Sequence, residues 1–287
     1  MSPEDIIDGI DELVSLPDAV IRANELLDSP HGNAENIGEV ISHDPGLSAK
    51  LLKLVNSAFY SFPAKIDTVS RAITLIGTNE LRSLILASSA TQVFSHIPPE
   101  LIDMNAYWHR SVYCGLVAKK LAALSSRTKG EAQFLSGLLH DVGHLALFTR
   151  IPEEMENILL QAKESGQHLF ELEQQQLGFT SADIGSLLLE SWRLPKNLWE
   201  PVRFQHQPDK ASEFPTEAQI LSIALTITDC LEPELKTSDS LDIESLPDMQ
   251  LKGETLTSED LGMLAMAANM ESFEVLSIIN PLATTVY

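Results

Sequence analysis

The chain is poor in cysteine and poor in positive charge. Only Cys114 and Cys230 occur among its 287 residues, far apart and without a metal-type spacing, which excludes a disulfide framework and a structural zinc knuckle. Both are expected as buried thiols. Lysine and arginine total 19 against 41 aspartates and glutamates, for a formal charge of −22. A field of that sign repels phosphate backbones and anionic lipid, so no nucleic-acid partner and no membrane surface is expected; a small anion in a local basic or metal-bearing pocket stays open. No uninterrupted apolar run approaches the roughly 18 residues of a spanning helix, and Met1-Ser2-Pro3-Glu4-Asp5 lacks the basic-then-apolar order of a signal peptide. The expectation is a cytoplasmic protein. A P-loop, a dinucleotide G-x-G-x-x-G and the nucleophile elbow G-x-S-x-G are also missing.

What is present is a core-forming composition, 44% hydrophobic and 21% charged, far from that of disordered chains. Its periodicity is helical almost throughout. Ser2 and Pro3 open a first helix carrying Ile6, Ile7 and Ile10, and Asp44-Pro45 open another carrying Leu47, Leu51, Leu54 and Val55. A stripe through Val69, Ala72 and Ile73 ends at Gly77, and Thr78 starts the next helix, so the pair resembles helix-turn-helix geometry. On so acidic a chain that is weak support for DNA binding, which would have to use Arg71 and Arg82.

Pro98-Pro99 suggest a boundary near residue 100. Helices are then expected near 103–125, 130–149, 152–165, 167–177, 180–192, 195–206 and 215–231. Pro233, Pro247 and Gly253, among the acidic residues Glu234, Asp239, Asp242, Glu244 and Asp248, read as a long loop before a last helix near 258–278. Met263, Met266 and Met270 in that helix read as core filler. The organisation expected is therefore all-α: an N-terminal helical subdomain (1–100), a helical core (101–231), and an acidic loop with a C-terminal helix packing on that core (232–287).

The sharpest chemical feature is Gly137-Leu138-Leu139-His140-Asp141-Val142-Gly143-His144, where an apolar helix presents two imidazoles and a carboxylate. On a continuous helix His140 and Asp141 would sit roughly 100° apart, with His144 one turn on. Mixed nitrogen and oxygen ligands suit Mn, Fe, Co, Ni or Zn.

At this motif the chain resembles the HD superfamily of metal-dependent phosphohydrolases, and within it the HDOD group, the HD-related output domain. The resemblance extends to Leu16-Pro17, the stretch Ile41 to Ser48, Leu51 to Tyr60, Ala72 to Gly77, Trp108 to Ser111, Leu177-Gly178, Ala182 to Gly185 and Trp192 to Pro195, over about residues 10–232. It implies an HDOD-like multi-helix bundle, with the N-terminal subdomain packed on a degenerate HD-type core. In catalytic HD proteins a histidine from an earlier helix, the His-Asp pair and a later aspartate bind a divalent ion that polarises phosphate oxygen and activates water. The resemblance places the pair at His140 and Asp141 and the later aspartate at Asp229. It places the earlier histidine at Arg110, with His109 one residue before. The resemblance also implies histidine, as many relatives carry it, where this chain has Ser181, and a His-His pair where it has Gln205-His206.

A permanent cation at Arg110 favours an internal pairing with an aspartate, or an anion site, over a metal. A His140–Asp141 pair that pins two core helices, with Asp229 or Arg110 as partner, needs no catalysis. The favoured reading is thus a non-catalytic signalling or regulatory module that binds a protein partner or small ligand in bacterial signal transduction. The alternative is an HD-type phosphohydrolase acting on a nucleotide or other phosphoester, with Mn, Fe, Ni, Mg or Zn on His140, Asp141 and Asp229, and His109 or His206 completing the shell. His144 reads as a packing or surface histidine.

Overall fold

The computed structural model describes residues 2–13, 17–57, 59–60, 62–94, 97–99, 101–125, 130–231 and 243–280. The fold is all-α apart from one short hairpin among the described residues. In α1 (Pro3–Leu13) the Asp5 amide donates to Ser2 Oγ at 3.2 Å and the Ser2 amide to the Asp5 carboxylate at 2.7 Å. These bonds satisfy amides that the first turn leaves open.

Next in the chain are α2 (Asp18–Asp28), α3 (Ala34–Ser42), α4 (Pro45–Val55), α5 (Val69–Ile76) and α6 (Thr78–Val93). The cap expected at Asp44 is formed: its Oδ1 accepts from the Leu47 amide at 3.0 Å. Helix α5 ends on Gly77, whose φ of 87° is a left-handed value that a side chain would strain. Arg82 on α6 is buried and lies 2.5 Å from Asp28 Oδ1. One of the two arginines that a DNA-binding hairpin would use is therefore tied inside the fold.

The chain continues with α7 (Met104–Ser125), α8 (Glu131–Leu138), α9 (Val142–Arg150), α10 (Pro152–Ser165), α11 (Leu169–Gln176), α12 (Ser181–Ser191), α13 (Lys196–Arg203) and α14 (Pro215–Leu231). After these come β1 (Met249–Leu251), β2 (Glu254–Leu256) and α15 (Ser258–Ile279). Cys114 and Cys230 are buried thiols, and burial pushes Cys114 up to about 12.

Three expectations are corrected. The single helix expected over 130–149 is two, because Leu139 (ψ 6°) and Asp141 (ψ 7°) leave helical geometry and turn the chain between α8 and α9. The interval expected as a loop holds a 3₁₀ turn at Ile243–Ser245 and the antiparallel pair β1–β2, with Leu251 opposite Glu254; residues 232–242 lie outside the described ones. Positive φ at both Lys252 (52°) and Gly253 (82°) is what a two-residue hairpin turn requires. Finally, the methionines expected in the core face outward: Met263, Met266 and Met270 are 60%, 70% and 81% exposed.

Two compact units are present, Met1–Leu13 with Ile97–Ser272 and Val14–His96 with Phe273–Tyr287. The units change over between His96 and Ile97, close to residue 100, whereas Met1–Leu13 go with the later unit and Phe273–Tyr287 with the earlier one. Helix α1 joins the first unit because Ile6, Ile7 and Ile10 are buried and the helix packs on α9 and α12. In the second unit, α2 to α6 build a core around Ile37, Ile41, Leu51, Val55 and Ile73.

Within the first unit, helices approach through glycine. A Cβ on Gly137 of α8 would lie 2.6 Å from Gly115 Cα of α7, and one on Gly143 of α9 would lie 1.8 Å from the Ser181 carbonyl oxygen of α12. Gly143→Ala must therefore push α9 and α12 apart, a loss of about 1–3 kcal/mol or more in denaturant unfolding. Gly262→Ala on α15, where a Cβ meets nothing within 4 Å, is the matched control; it should be neutral or stabilising by up to about 1 kcal/mol. Equal effects of the two substitutions would contradict this packing.

Candidate functional site

Helices of the first unit bring the sequence-selected residues to one buried region. Helix α7 supplies Arg110, the turn between α8 and α9 supplies His140 and Asp141, α9 supplies His144, α12 begins at Ser181, the segment after α13 supplies Gln205 and His206, and α14 supplies Asp229. The start of α14 is fixed by Glu200, whose buried carboxylate accepts from the amides of Phe214 at 2.6 Å and Glu213 at 3.1 Å and from the Ser212 hydroxyl at 3.2 Å. Burial alone would raise the Glu200 pKa, but these backbone donors lower it.

Arg110 is 5% exposed, and its Nη1 donates to Asp229 Oδ1 at 2.7 Å. The Asp229 side chain is 43% exposed, so the pair runs from the core to the surface. Asp141 takes another partner, its Oδ1 meeting His144 Nδ1. The other ring nitrogen of His144 lies 2.7 Å from Glu173 Oε1, and Glu173 Oε2 accepts from the Ser181 amide at 2.7 Å. Asp141, His144 and Glu173 are all buried. For His144, burial would favour the neutral ring, but the carboxylates of Asp141 and Glu173 outweigh it and raise the pKa well above its usual value. Burial would likewise raise Asp141, and the charge of His144 reverses this and holds it below the usual carboxylate range. The group is an imidazolium between two carboxylates.

His140 is organised differently. Its Nδ1 donates to the Gly137 carbonyl at 2.6 Å, and Gln205 Nε2 donates to the His140 carbonyl at 3.2 Å. Burial, opposed by the Asp141 carboxylate and reinforced by Arg110, pushes the ring down to about 4, so it is neutral at ordinary pH. Its Nε2, together with Asp141 Oδ2, Gln205 Oε1 and His206 Nε2, is buried without a hydrogen-bond partner among the described residues. His206 is pushed down to about 3 by burial and then by the charge of His144. Its ring stacks on Phe170, centroids 4.5 Å apart and planes 7° apart. Both rings line a cavity of about 610 Å³, with Thr180, Asp183, Arg203 and Lys210 at its walls.

A divalent ion fits this arrangement poorly. His140 Nε2 and Asp141 Oδ2 offer two lone-pair donors, but Asp229 is held by a guanidinium, which cannot deprotonate to make room for a metal. Among the described residues no three His, Cys, Asp or Glu side chains converge as an ion would need. His109, the alternative first ligand, is half-buried on α7 beside the buried Arg110.

Sequence reasoning passed over Glu173 and Glu200. For Glu173 a signal existed: it falls four residues after Leu169 and next to Leu172, both buried, on the inward face of α11. A carboxylate on such a face calls for a buried cationic partner.

Residues 13–208 match the model of the HDOD domain. An uncharacterized protein of Treponema pallidum is 27% identical over 211 residues, 72% of this chain; the chain spans only 40% of that relative's length. The crystal structure of a Shewanella amazonensis protein, provisionally named a phosphohydrolase, is similar at 25% identity and TM-score 0.69, covering 96% of this chain and 97% of that one. An HDOD domain protein of unknown function from Geobacter sulfurreducens is similar at 18% identity and TM-score 0.71, over 99% of this chain and 97% of the other. At 20% identity and TM-score 0.65, a Marinobacter aquaeolei protein provisionally named for signal transduction covers 93% of this chain and is itself covered over 59%. These last two likenesses are of fold alone.

His140 and His206 set the acid side of stability. His140 and His206 stay neutral in the fold down to about 4 and about 3, whereas in the unfolded chain they bind protons from 6.5 downward. The unfolded state then holds more protons, so this contribution is complete above pH 6.5 and is lost as the pH falls towards 4. Lowered Asp141 acts in the same direction, below its unfolded value of 3.8. Raised His144 acts oppositely, stabilising below 6.5 and losing its effect only as the pH climbs through its raised pKa. Urea midpoints should therefore fall between pH 6.5 and 4, and His140→Gln should flatten part of that limb. A level midpoint across the window would contradict this assignment.

Proposed function

This chain belongs to the HDOD domain family, and from that premise we propose that it is a non-catalytic signalling or regulatory module of a bacterial cytoplasm, one that holds a ligand or protein partner rather than hydrolysing a phosphoester. The observation that carries the reading is Arg110 Nη1 at 2.7 Å from Asp229 Oδ1. An HD-type centre needs an ion at this place to polarise phosphate oxygen and to lower the pKa of water. Here a side-chain cation neutralises the aspartate instead, and it offers no open coordination position and no activated water. His144, closed between Asp141 and Glu173, has both ring nitrogens engaged within the protein. The cavity beside Phe170 and His206 supports the binding side of the proposal. It is large enough for a small molecule, is lined by the stacked rings of Phe170 and His206, and carries both cations, Arg203 and Lys210, and carboxylates, Glu171 and Asp183, the latter 3.6 Å from Arg203.

A second reading, metal-dependent phosphohydrolysis, is favoured by one observation: the buried lone pairs at His140 Nε2 and Asp141 Oδ2. It would require Arg110 to release Asp229.

The two readings separate in one set of measurements. The purified chain, supplied in turn with Mn, Fe, Ni, Mg or Zn, should leave nucleotides, cyclic dinucleotides and generic phosphoesters intact. Robust turnover abolished by Asp141→Ala would overturn the proposal. Arg110→His, which restores the imidazole that the family pattern has at this position, should bind Mn or Ni at least about tenfold more tightly than the native chain. Arg110→Ala removes the partner of a half-exposed carboxylate and should cost about 1–3 kcal/mol in denaturant unfolding, less than breaking a fully buried pair.

A further inference from the structure

Helix α15 carries an apolar face that the fold leaves outside. Met263, Met266 and Met270 are 60%, 70% and 81% exposed, and their steps of three and four residues place them on one seam with heptad spacing. The seam is not a core face turned out by accident, because the opposite side of the helix is pinned. Leu261, Ala265 and Ala268 are buried, Tyr113 OH donates to the Ala265 carbonyl at 3.2 Å, and Lys120 Nζ lies 2.6 Å from Glu271 Oε1. Beside the seam, a Cβ on Gly262 would meet nothing within 4 Å, so a second backbone can come close.

We propose that the Met263–Met266–Met270 seam docks an amphipathic helix of a partner protein whose flanking positions are basic. This rests on the binding-module reading given above and supplies the chemistry of its protein partner. Methionine side chains adapt to differently shaped apolar helices. Charge selects the occupant: Ser258–Ile279 has neither lysine nor arginine, and besides Glu271, which is paired with Lys120, it carries Glu259, Asp260 and Glu274. A second copy would add another −22. By length and composition α15 could cross a membrane, but its carboxylates and its buried face set it against lipid.

The test uses the full chain and a synthetic peptide with leucines at heptad spacing and lysines at the flanking positions, titrated calorimetrically. A second peptide carries glutamates in place of the lysines. The lysine peptide should bind and the glutamate peptide should not. Met266→Gln with Met270→Gln, both on the surface and therefore compatible with folding, should weaken binding at least about tenfold while leaving helicity unchanged. Lysine-peptide binding that is indifferent to this double substitution would overturn the proposal. So would sedimentation showing a dimer that the substitutions dissociate, or seam-dependent binding to neutral phosphatidylcholine vesicles. None of these results alters the phosphoester assay, and turnover in that assay would leave the peptide result standing, so the two readings fail separately.

Discussion

A buried cation must find a buried or near-surface anion, and in this protein that requirement organises the centre of the first unit. Arg110 reaches from α7 to Asp229 on α14, and His144 closes onto Asp141 on one side and Glu173 on the other. In a low-dielectric interior none of these charges is tolerable alone. Their pairing joins α7 to α14 and α9 to α11, and through the Ser181 amide it sets the first turn of α12. The break between α8 and α9 serves the same end, since it places Asp141 one turn ahead of His144 while His140 folds back onto the Gly137 carbonyl.

A divalent ion and a guanidinium can each neutralise an aspartate, but their chemical consequences differ. The ion keeps exchangeable positions where water or phosphate oxygen can enter. The guanidinium fills its directions with hydrogen bonds and stays charged at every accessible pH. Placing one beside His140 and Asp141 also opposes a further positive charge there, which is one reason the His140 ring stays neutral. In the proposed reading this arrangement holds shape, and recognition would fall to the cavity beside His206 and the outward face of α15.

Much of the fold was legible in the amino-acid sequence. Helical spacing and capping residues gave α4, α7, α10 and α14 nearly to the residue, because Asp44-Pro45 and the apolar stripes are local signals. The break at Leu139 to Asp141 was hidden, since the segments on both sides of it are apolar and helical in spacing. Strands of three residues are too short to show alternation. Burial of one face of α15 rather than the other is a tertiary outcome, and periodicity alone does not say which stripe faces in. At the site, Arg110 and Asp229 were both singled out, but 119 residues separate them and no local rule joins them. Glu173 was passed over because its partner, His144, lies in another helix.

The most direct test of the central claim is a high-resolution crystal structure of the native chain soaked in Mn and measured for anomalous scattering. The account predicts the Arg110 guanidinium hydrogen-bonded to the Asp229 carboxylate and no anomalous peak between His140 and Asp141. An anomalous peak ligated by His140, Asp141 and Asp229, with Arg110 swung away, would contradict it.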